Sequence, residues 1–419
     1  MTDPSPADGP AASSPWAATG RPAAVSRRRF LGMGAGLASL WAMGCLAPPP
    51  RPGLTPGRRL RLRDLGIVLG DLSPGPRNAI TDVPGVRVGH VTLVRGDGPL
   101  VPGQGPVRTG VTALLAHGGN LAREPVWAAD RTLNGNGELT GVGYLRSTGL
   151  LAAPILFTDT ASVGAVYHGA LGYLLEREPA LFALEPHPEP VVGETWGGFL
   201  NDTAGLHVRA EHAVQALASA SDGPVPEGSV GGGTAMRAFG FKAGIGTASR
   251  RVACADREYT LGVLVQANFG SRGQLRVDGV PVGRLIGGLM PEEGASAGTS
   301  LLAAVATDAP LLPVQLRRLC QRVGLGMART GGVSAHGSGD LAVAFSTGQR
   351  FPLGRGMRLE VLADAQITRL HEATVEATEE AILNALTAAS TMRGRDGNTI
   401  HALPLERLVE VMQAHGRLK

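Results

Sequence analysis

Short apolar runs alternate along this chain with longer stretches of helical periodicity. The runs at 85–94, 111–115, 154–157, 261–266, 301–307, 341–346 and 358–362 are either wholly apolar or alternate apolar with polar, as strands do. Helical spacing predicts helices over 161–177, 212–220, 313–328 and 363–389. In the last of these, Ile367, Leu370, Ala373, Ala377 and Ala381 share one face, and Glu372, Glu376 and Glu380 share another. Asp308-Ala309-Pro310 supplies a turn between the 301–307 strand and the helix after it. Interspersed strands and helices imply packed layers of α and β. The pattern by itself fits a layered sandwich or a doubly wound sheet.

The first 48 residues do not read as fold. Residues 1–25 are rich in Pro, Ala and Ser, and Ser26-Arg27-Arg28-Arg29-Phe30-Leu31 then opens an apolar run that ends at Leu46. That is the form of a twin-arginine export signal, with an apolar stretch too short to span a bilayer stably. The other reading is a basic tail. Cys45 follows Ala42-Met43-Gly44 and is a candidate for lipidation, although methionine is atypical there. Residues 49–58 form a Pro-rich, stiff linker. The expected organisation is therefore a tail at 1–48, a linker at 49–58 and one catalytic domain at 59–419.

Composition narrows the function class. The net charge is +4, and no basic stripe with interleaved aromatics is present, so nucleic acid is not an expected partner. Glycine makes up 61 of 419 residues, about twice the average share. Hydrophobic residues nevertheless reach 43%, which fits a packed protein whose turns bring backbone amides close together. Cys254 and Cys320 could pair in an oxidising compartment, but two separate buried thiols is the preferred expectation.

The candidate chemistry lies at strand starts. Ser300 stands where a loop of small residues, 291–298, meets the apolar run 301–307. A serine needs an adjacent base to act as a nucleophile, and a freed α-amine can be that base. Such an amine titrates near ~8 and is substantially neutral at physiological pH. The arrangement suggests a hydrolase that cuts its own Thr299–Ser300 bond, leaving pieces 59–299 and 300–419. Ser338 and Asp340, at i and i+2, open the 341–346 run and would share one face. If the two strands are parallel neighbours, Ser338 can hydrogen-bond the Ser300 amine or hydroxyl, and Asp340 can orient the network. A plain polar turn is the alternative reading of 337–340. Ser296, in Gly294-Ala295-Ser296-Ala297-Gly298, matches a nucleophile elbow, yet that motif needs a strand before it and a helix after it. Gly231-Gly232-Gly233-Thr234 lacks the Gly-Lys-Ser/Thr end of a phosphate loop. His371-Glu372 has no second histidine at zinc-site spacing. No metal or cofactor is expected.

Several stretches occur in order along the chain. They are Ile80-Thr81-Asp82-Val83-Pro84-Gly85-Val86-Arg87-Val88-Gly89-His90, Asn136-Gly137-Glu138-Leu139-Thr140-Gly141, Gly193-Glu194-Thr195 and Gly231-Gly232-Gly233-Thr234. Then come Lys242-Ala243-Gly244-Ile245-Gly246-Thr247-Ala248-Ser249-Arg250, Val265-Gln266-Ala267-Asn268-Phe269-Gly270, the Ser300 run, Ser338-Gly339-Asp340 and Met392-Arg393-Gly394-Arg395-Asp396-Gly397. Together they resemble the L-aminopeptidase/D-esterase (DmpA-like) family, which includes β-aminopeptidases and nylon-oligomer hydrolases. The resemblance runs from about Arg61 to Leu405. It implies an αββα four-layer sandwich of the N-terminal-nucleophile-hydrolase type, shared with an ornithine acetyltransferase family whose threonine motif is missing here. It implies Asn268 as the oxyanion donor, expected just past the 261–266 strand. It implies Glu194 as the acid that holds a substrate's free amine; Trp196 departs from the family's character there and would reshape that pocket. Lys242 matches a lysine of the nylon-oligomer branch, with a structural salt bridge as its other reading. A homo-oligomer, a tetramer by resemblance, is implied as well.

The expectation is thus an exported, metal-free, self-processing serine aminopeptidase or amidase. Its substrates would be small peptides, amides or esters with a free amine. An endo-acting oligoamide hydrolase and a non-catalytic exported binding protein are the rivals. Membrane association would come only through the export signal or a lipid at Cys45. A receptor reads twin-arginine signals, so replacing Arg27 and Arg28 with lysine is expected to hold the protein in the cytoplasm. Periplasmic yield is the measurement, and an unchanged yield would refute the export reading.

Overall fold

Strand alternation divides the core into two. Along the strand from Gly298 to Thr307, Leu302, Ala304 and Ala306 enter one apolar cluster, while Leu301, Ala303 and Val305 enter the other. A sheet buried on both faces in this way must lie inside a stack of layers.

The computed structural model describes residues 59–184, 187–254, 257–291, 298–354 and 356–418. The twin-arginine segment, Cys45, the linker and Ser296 lie outside the described residues. In chain order the strands begin with β1 (Arg87–Arg95), β2 (Val107–Leu115), β3 (Val126–Gly135), β4 (Leu150–Leu151) and β5 (Ile155–Asp159). They continue with β6 (Val191–Thr195), β7 (Arg237–Ala238), β8 (Phe241–Lys242), β9 (Ile245–Cys254) and β10 (Arg257–Gly270). The last four are β11 (Gly298–Thr307), β12 (Gly339–Ser346), β13 (Met392–Arg393) and β14 (Thr399–Ile400). The helices are α1 (Val142–Thr148), α2 (Val163–Arg177), α3 (Ala210–Ala218), α4 (Val282–Leu285), α5 (Pro313–Arg329), α6 (Thr368–Thr387) and α7 (Leu405–Ala414).

One sheet has four strands in the order β1-β2-β5-β6, and the other has six in the order β4-β3-β12-β11-β10-β9. Apolar side chains of α2 and α3 pack with the four-stranded sheet, and those of α5 and α6 pack with the outer face of the six-stranded one. The inner faces meet through Phe157, Val192, Leu264, Leu302 and Val343. This is the expected αββα stack. One polar tie crosses it: Gln266 Nε2 on β10 donates to Thr158 O at 2.9 Å and Thr195 Oγ1 at 2.7 Å. The sheets approach closely there, and a Cβ on Gly232 would lie 2.2 Å from Gln266 Oε1.

Several sequence expectations need correction. Residues 358–362 form no strand: Leu359 and Val361 face solvent, and no neighbouring strand takes up the backbone. The expected 363–389 helix starts only at Thr368, after a short 3₁₀ turn. Asn268 lies within β10, not past its end. Strands β3, β6 and β9 were not foreseen. Cys254 and Cys320 are free and buried, as preferred.

Glu376 and Glu380, which share a face of α6 other than the apolar one, are buried. Arg250 on β9 sits between them, with Nε 2.9 Å from Glu376 Oε2 and Nη2 2.8 Å from Glu380 Oε2. Arg63 adds a second cation to Glu380 at 2.8 Å. Burial pushes the Glu380 carboxyl up, yet Arg250, Arg63 and Asn78 together hold it below the ordinary glutamate value. Arg250→Met would leave the buried Glu376 without a cation and Glu380 with Arg63 alone, so it is expected to destabilise the fold by about 3–5 kcal/mol. Thermal and urea unfolding measure this; wild-type midpoints would contradict it.

Candidate active site

The pairing of β11 places the reactive groups. Its neighbour β10 is antiparallel, with Asn268 directly opposite Ser300. Its other neighbour β12 is parallel, with Gly339 beside Ser300. Directly opposite residues of an antiparallel pair point to the same face. Ser300, two residues before Leu302, therefore faces the space between the sheets, as does Asn268, two residues after Gln266. The parallel neighbours expected from sequence are present.

Ser300 is buried, and its Oγ accepts a hydrogen bond from the Gly339 N–H at 3.3 Å. A side chain at 339 would not fit, because its Cβ would lie 2.7 Å from Asn136 O and 2.8 Å from Gly137 Cα. The Asn268 amide is held at both ends: Oδ1 accepts from the Arg237 N–H and Nδ2 donates to Trp196 O, each at 3.1 Å. A second Nδ2 proton remains to serve a reacting oxygen. Thr299 lies on β11 immediately before the serine.

Ser338 and Asp340 share a face as expected. It is the helix side of β12, because Ala342 and Ala344 join the core under α5 and α6. Ser338 Oγ donates to Asp340 Oδ1 at 2.7 Å, not to the Ser300 hydroxyl. Ser334, midway along the loop between α5 and β12, donates to Asp340 Oδ2. Ser334 has φ +50°, a strained value for a residue with a side chain. Burial pushes the Asp340 carboxyl up, against the hydroxyls of Ser334 and Ser338 and the Leu301 N–H. Asn134 Nδ2 fixes the loop by donating to Ala335 O, His336 O and Ser338 O.

A cavity of about 560 Å³ opens beside Ser300. It is lined by Asn136, Gly137, Glu138, Thr160, Glu194, Trp196 and Gly337 along with the serine. Glu194 ends up buried on β6, beside Thr158 of β5. Its Oε2 accepts from Thr160 Oγ1, and its Oε1 accepts from the Glu138 N–H at 3.2 Å. Burial raises the Glu194 pKa, opposed by those two donors and aided by the nearby Glu138 charge. The lining holds two carboxylates and no lysine or arginine. A ligand ammonium would complete it.

Lys242 does not line this cavity. It is fully buried, and its Nζ donates to Met236 O at 2.7 Å, Ala243 O at 2.6 Å and Gly233 O at 3.3 Å. These are carbonyls, so the salt-bridge reading is wrong. Burial holds the amine well below the ordinary lysine value. Among the described residues, no cluster of His, Cys, Asp and Glu could hold a metal ion. Thr160, Ser334 and Asn134 escaped the sequence reading, being single polar residues in a loop or at element ends. Glu138 stood in a quoted stretch without a role.

Comparison with known proteins identifies the family and the fold. The profile of Peptidase family S58 matches residues 78–400. The chain is 45% identical over 375 residues to the β-peptidyl aminopeptidase BapA of Sphingosinicella microcystinivorans, covering 85% of this chain and 93% of the relative. A Burkholderia sp. β-aminopeptidase structure superposes with a TM-score of 0.77 at 43% identity, over 85% of this chain and 99% of that one. The L-aminopeptidase D-Ala-esterase/amidase of Ochrobactrum anthropi, described as a prototype serine aminopeptidase and a variant of the Ntn hydrolase fold, superposes at 0.80 with 38% identity. That match covers 86% of this chain and 99% of the other.

Ser334→Ala removes a donor that favours the ionised Asp340 carboxylate, so its pKa should rise further. If activity needs the carboxylate, the acid limb of kcat/KM moves to higher pH. One hydrogen bond is worth about 1 kcal/mol, so the displacement should approach one pH unit. A pH–rate profile checks this, and an unmoved limb would count against a functional Asp340.

Proposed function

The chain belongs to Peptidase family S58 and is a hydrolase of the aminopeptidase type; from that premise we propose that it cuts its own Thr299–Ser300 bond and then acts through the freed Ser300. One observation carries the reading: Ser300 stands between Asn268 and Gly339 at the edge of a cavity whose charged lining is wholly acidic.

In the proposed reaction, the Ser300 hydroxyl attacks the substrate's amide carbonyl. Its own α-amine takes the hydroxyl proton and returns it to the leaving amine. The Asn268 Nδ2 proton that is not bound to Trp196 stabilises the oxyanion. Water then releases the acyl group by the same route. Self-cleavage uses the same hydroxyl and the same donor: the hydroxyl attacks the Thr299 carbonyl, its proton passes to the Ser300 nitrogen as the C–N bond breaks, and water hydrolyses the ester so formed. Asp340, with Ser338 and Ser334, acts from the far side of the sheet by fixing the start of β12 and hence the Gly339 N–H. Glu194, with Thr160 and the Glu138 backbone, holds the substrate ammonium. Trp196 is partly exposed and forms a wall of that pocket. The β-peptidyl relatives support small β-amino-acid peptides and amides as the substrate class.

Ser300→Ala is expected to abolish both self-cleavage and turnover. N-terminal sequencing of the small piece from wild-type protein should read Ser-Leu-Leu-Ala-Ala. A fully active single chain would overturn the proposal. Glu194→Gln should leave self-cleavage intact, yet weaken substrates with a free amine far more than N-acylated ones. Equal losses on both would favour an endo-acting amidase.

A further inference from the structure

We propose that Asp159 is a positioning residue for the Asn268 amide, acting through the peptide bond between Trp196 and Gly197. This rests on the reading of Asn268 as the oxyanion donor.

Asp159 is the last residue of β5, is 2% exposed and stands beside Thr195 in the parallel register with β6. Its Oδ2 accepts from the Gly197 N–H at 3.1 Å. The carbonyl of that same peptide unit, Trp196 O, accepts from Asn268 Nδ2 at 3.1 Å. The bond is trans, because Gly105–Pro106 is the cis peptide of the described chain. In a trans peptide the N–H and C=O point opposite ways. Holding the N–H against Asp159 therefore aims the carbonyl at Asn268. Rotating this peptide would set its N–H against the Nδ2 protons, donor against donor. The Arg237 N–H holds the opposite end of the Asn268 amide. The side-chain amide is therefore fixed in one orientation, with one Nδ2 proton committed to Trp196 O and the other directed away from it.

A simple capping role does not account for this carboxylate. Asp159 does cap the 3₁₀ turn after β5, with Oδ1 accepting from the Ala161 N–H at 3.3 Å. Asparagine caps a turn as well as aspartate does. Asparagine has one acceptor oxygen, however, and this site has two N–H groups to satisfy from opposite oxygens. Among the described residues no arginine or lysine pairs with Asp159, so its burial is not repaid by a salt bridge. Burial pushes its pKa up to about 6, with the Ala161 and Gly197 N–H groups acting downward and the Glu194 charge upward. A buried carboxyl kept without a cation, one peptide away from a reacting group, is the pattern of a functional site. Gly197 fits the same design: a Cβ there would lie 2.6 Å from Asp159 Oδ2 and 2.9 Å from the Ala235 Cβ.

The test is a double-mutant cycle on the full-length protein, with a β-alanyl amide as substrate and kcat expressed per mole of chain that N-terminal sequencing shows to be cleaved at Ser300. Asn268→Ala alone should lower kcat by about 10²–10³-fold. Asp159→Asn alone should lower kcat about ten-fold, the effect of misplacing one hydrogen bond, with a smaller change in KM because Glu194 keeps both of its donors. The double variant should be no slower than Asn268→Ala alone. If the two losses multiply, Asp159 acts independently of Asn268 and the inference fails while the oxyanion reading stands. A change in KM in place of kcat would place its influence on Glu194 and also overturn it. Full activity in Asn268→Ala would instead overturn the reading of Asn268 itself. Thermal melts report whether each variant is folded; should Asp159→Asn not fold, Gly197→Ala enters the same cycle from the other side of the hydrogen bond, with the same expected and overturning results.

Discussion

The register of three strands governs everything at this site. Side chains alternate faces with a period of two, so a slip of one residue between β10 and β11 would turn Ser300 from the inter-sheet cavity to the helix side. The contacts of both faces oppose that slip, because it would exchange the side chains of two filled cores and put Leu301 in place of Ser300 beside Asn268. Leu302, Ala304 and Ala306 fill one core, and Leu301, Ala303 and Val305 fill the other. The serine inherits its direction from packing farther along the strand. Its neighbours inherit theirs in the same way, because the same ladder sets Asn268 opposite and Gly339 beside it.

The electrostatics follow from burial. Asp159, Glu194 and Asp340 all have carboxyl pKa values raised by loss of water, and none has an arginine or lysine as a partner among the described residues. Backbone N–H groups and hydroxyls satisfy them instead. Cations are placed elsewhere. Arg250 neutralises acids under α6, and Lys242 spends its donors on carbonyls. The cavity is thus left with a negative field and no internal counter-ion, which suits a positively charged visitor.

Much of this could be read from the sequence, for reasons that differ by residue. Ser300 and the Ser338–Asp340 pair stood out because polar groups at the head of apolar runs are conspicuous. Their juxtaposition followed from a strand–helix–strand unit, which favours parallel neighbours. Asn268 was placed outside its strand because the apolar pattern stops at Gln266, whereas hydrogen bonding to β11 continues to Gly270. Strands β3 and β9 were hidden by Asp130, Ser249 and Arg250, whose charges and hydroxyl find partners only in the folded protein. Glu194 was recognisable only through its motif, since β6 is short and preceded by proline. The peptide that joins Asp159 to Asn268 leaves no side-chain signature at all. Residues 358–362 misled in the opposite direction, alternating like a strand with no sheet edge to meet.

The position of β11 and β12 within the six-stranded sheet has a mechanical consequence. β12 and all of β11 from Ser300 onward lie C-terminal to the Thr299–Ser300 bond, yet β3 and β10, which flank them, lie N-terminal to it. The segment from Arg59 to Asn78 is in turn stitched to α6 by Arg63, Asn78 and the backbone of Leu62. A break at residue 300 would therefore release no folded half. The two pieces would remain interleaved like the fingers of clasped hands, each completing the other's sheet. The chain could gain a new amino terminus in its centre while its architecture stayed whole.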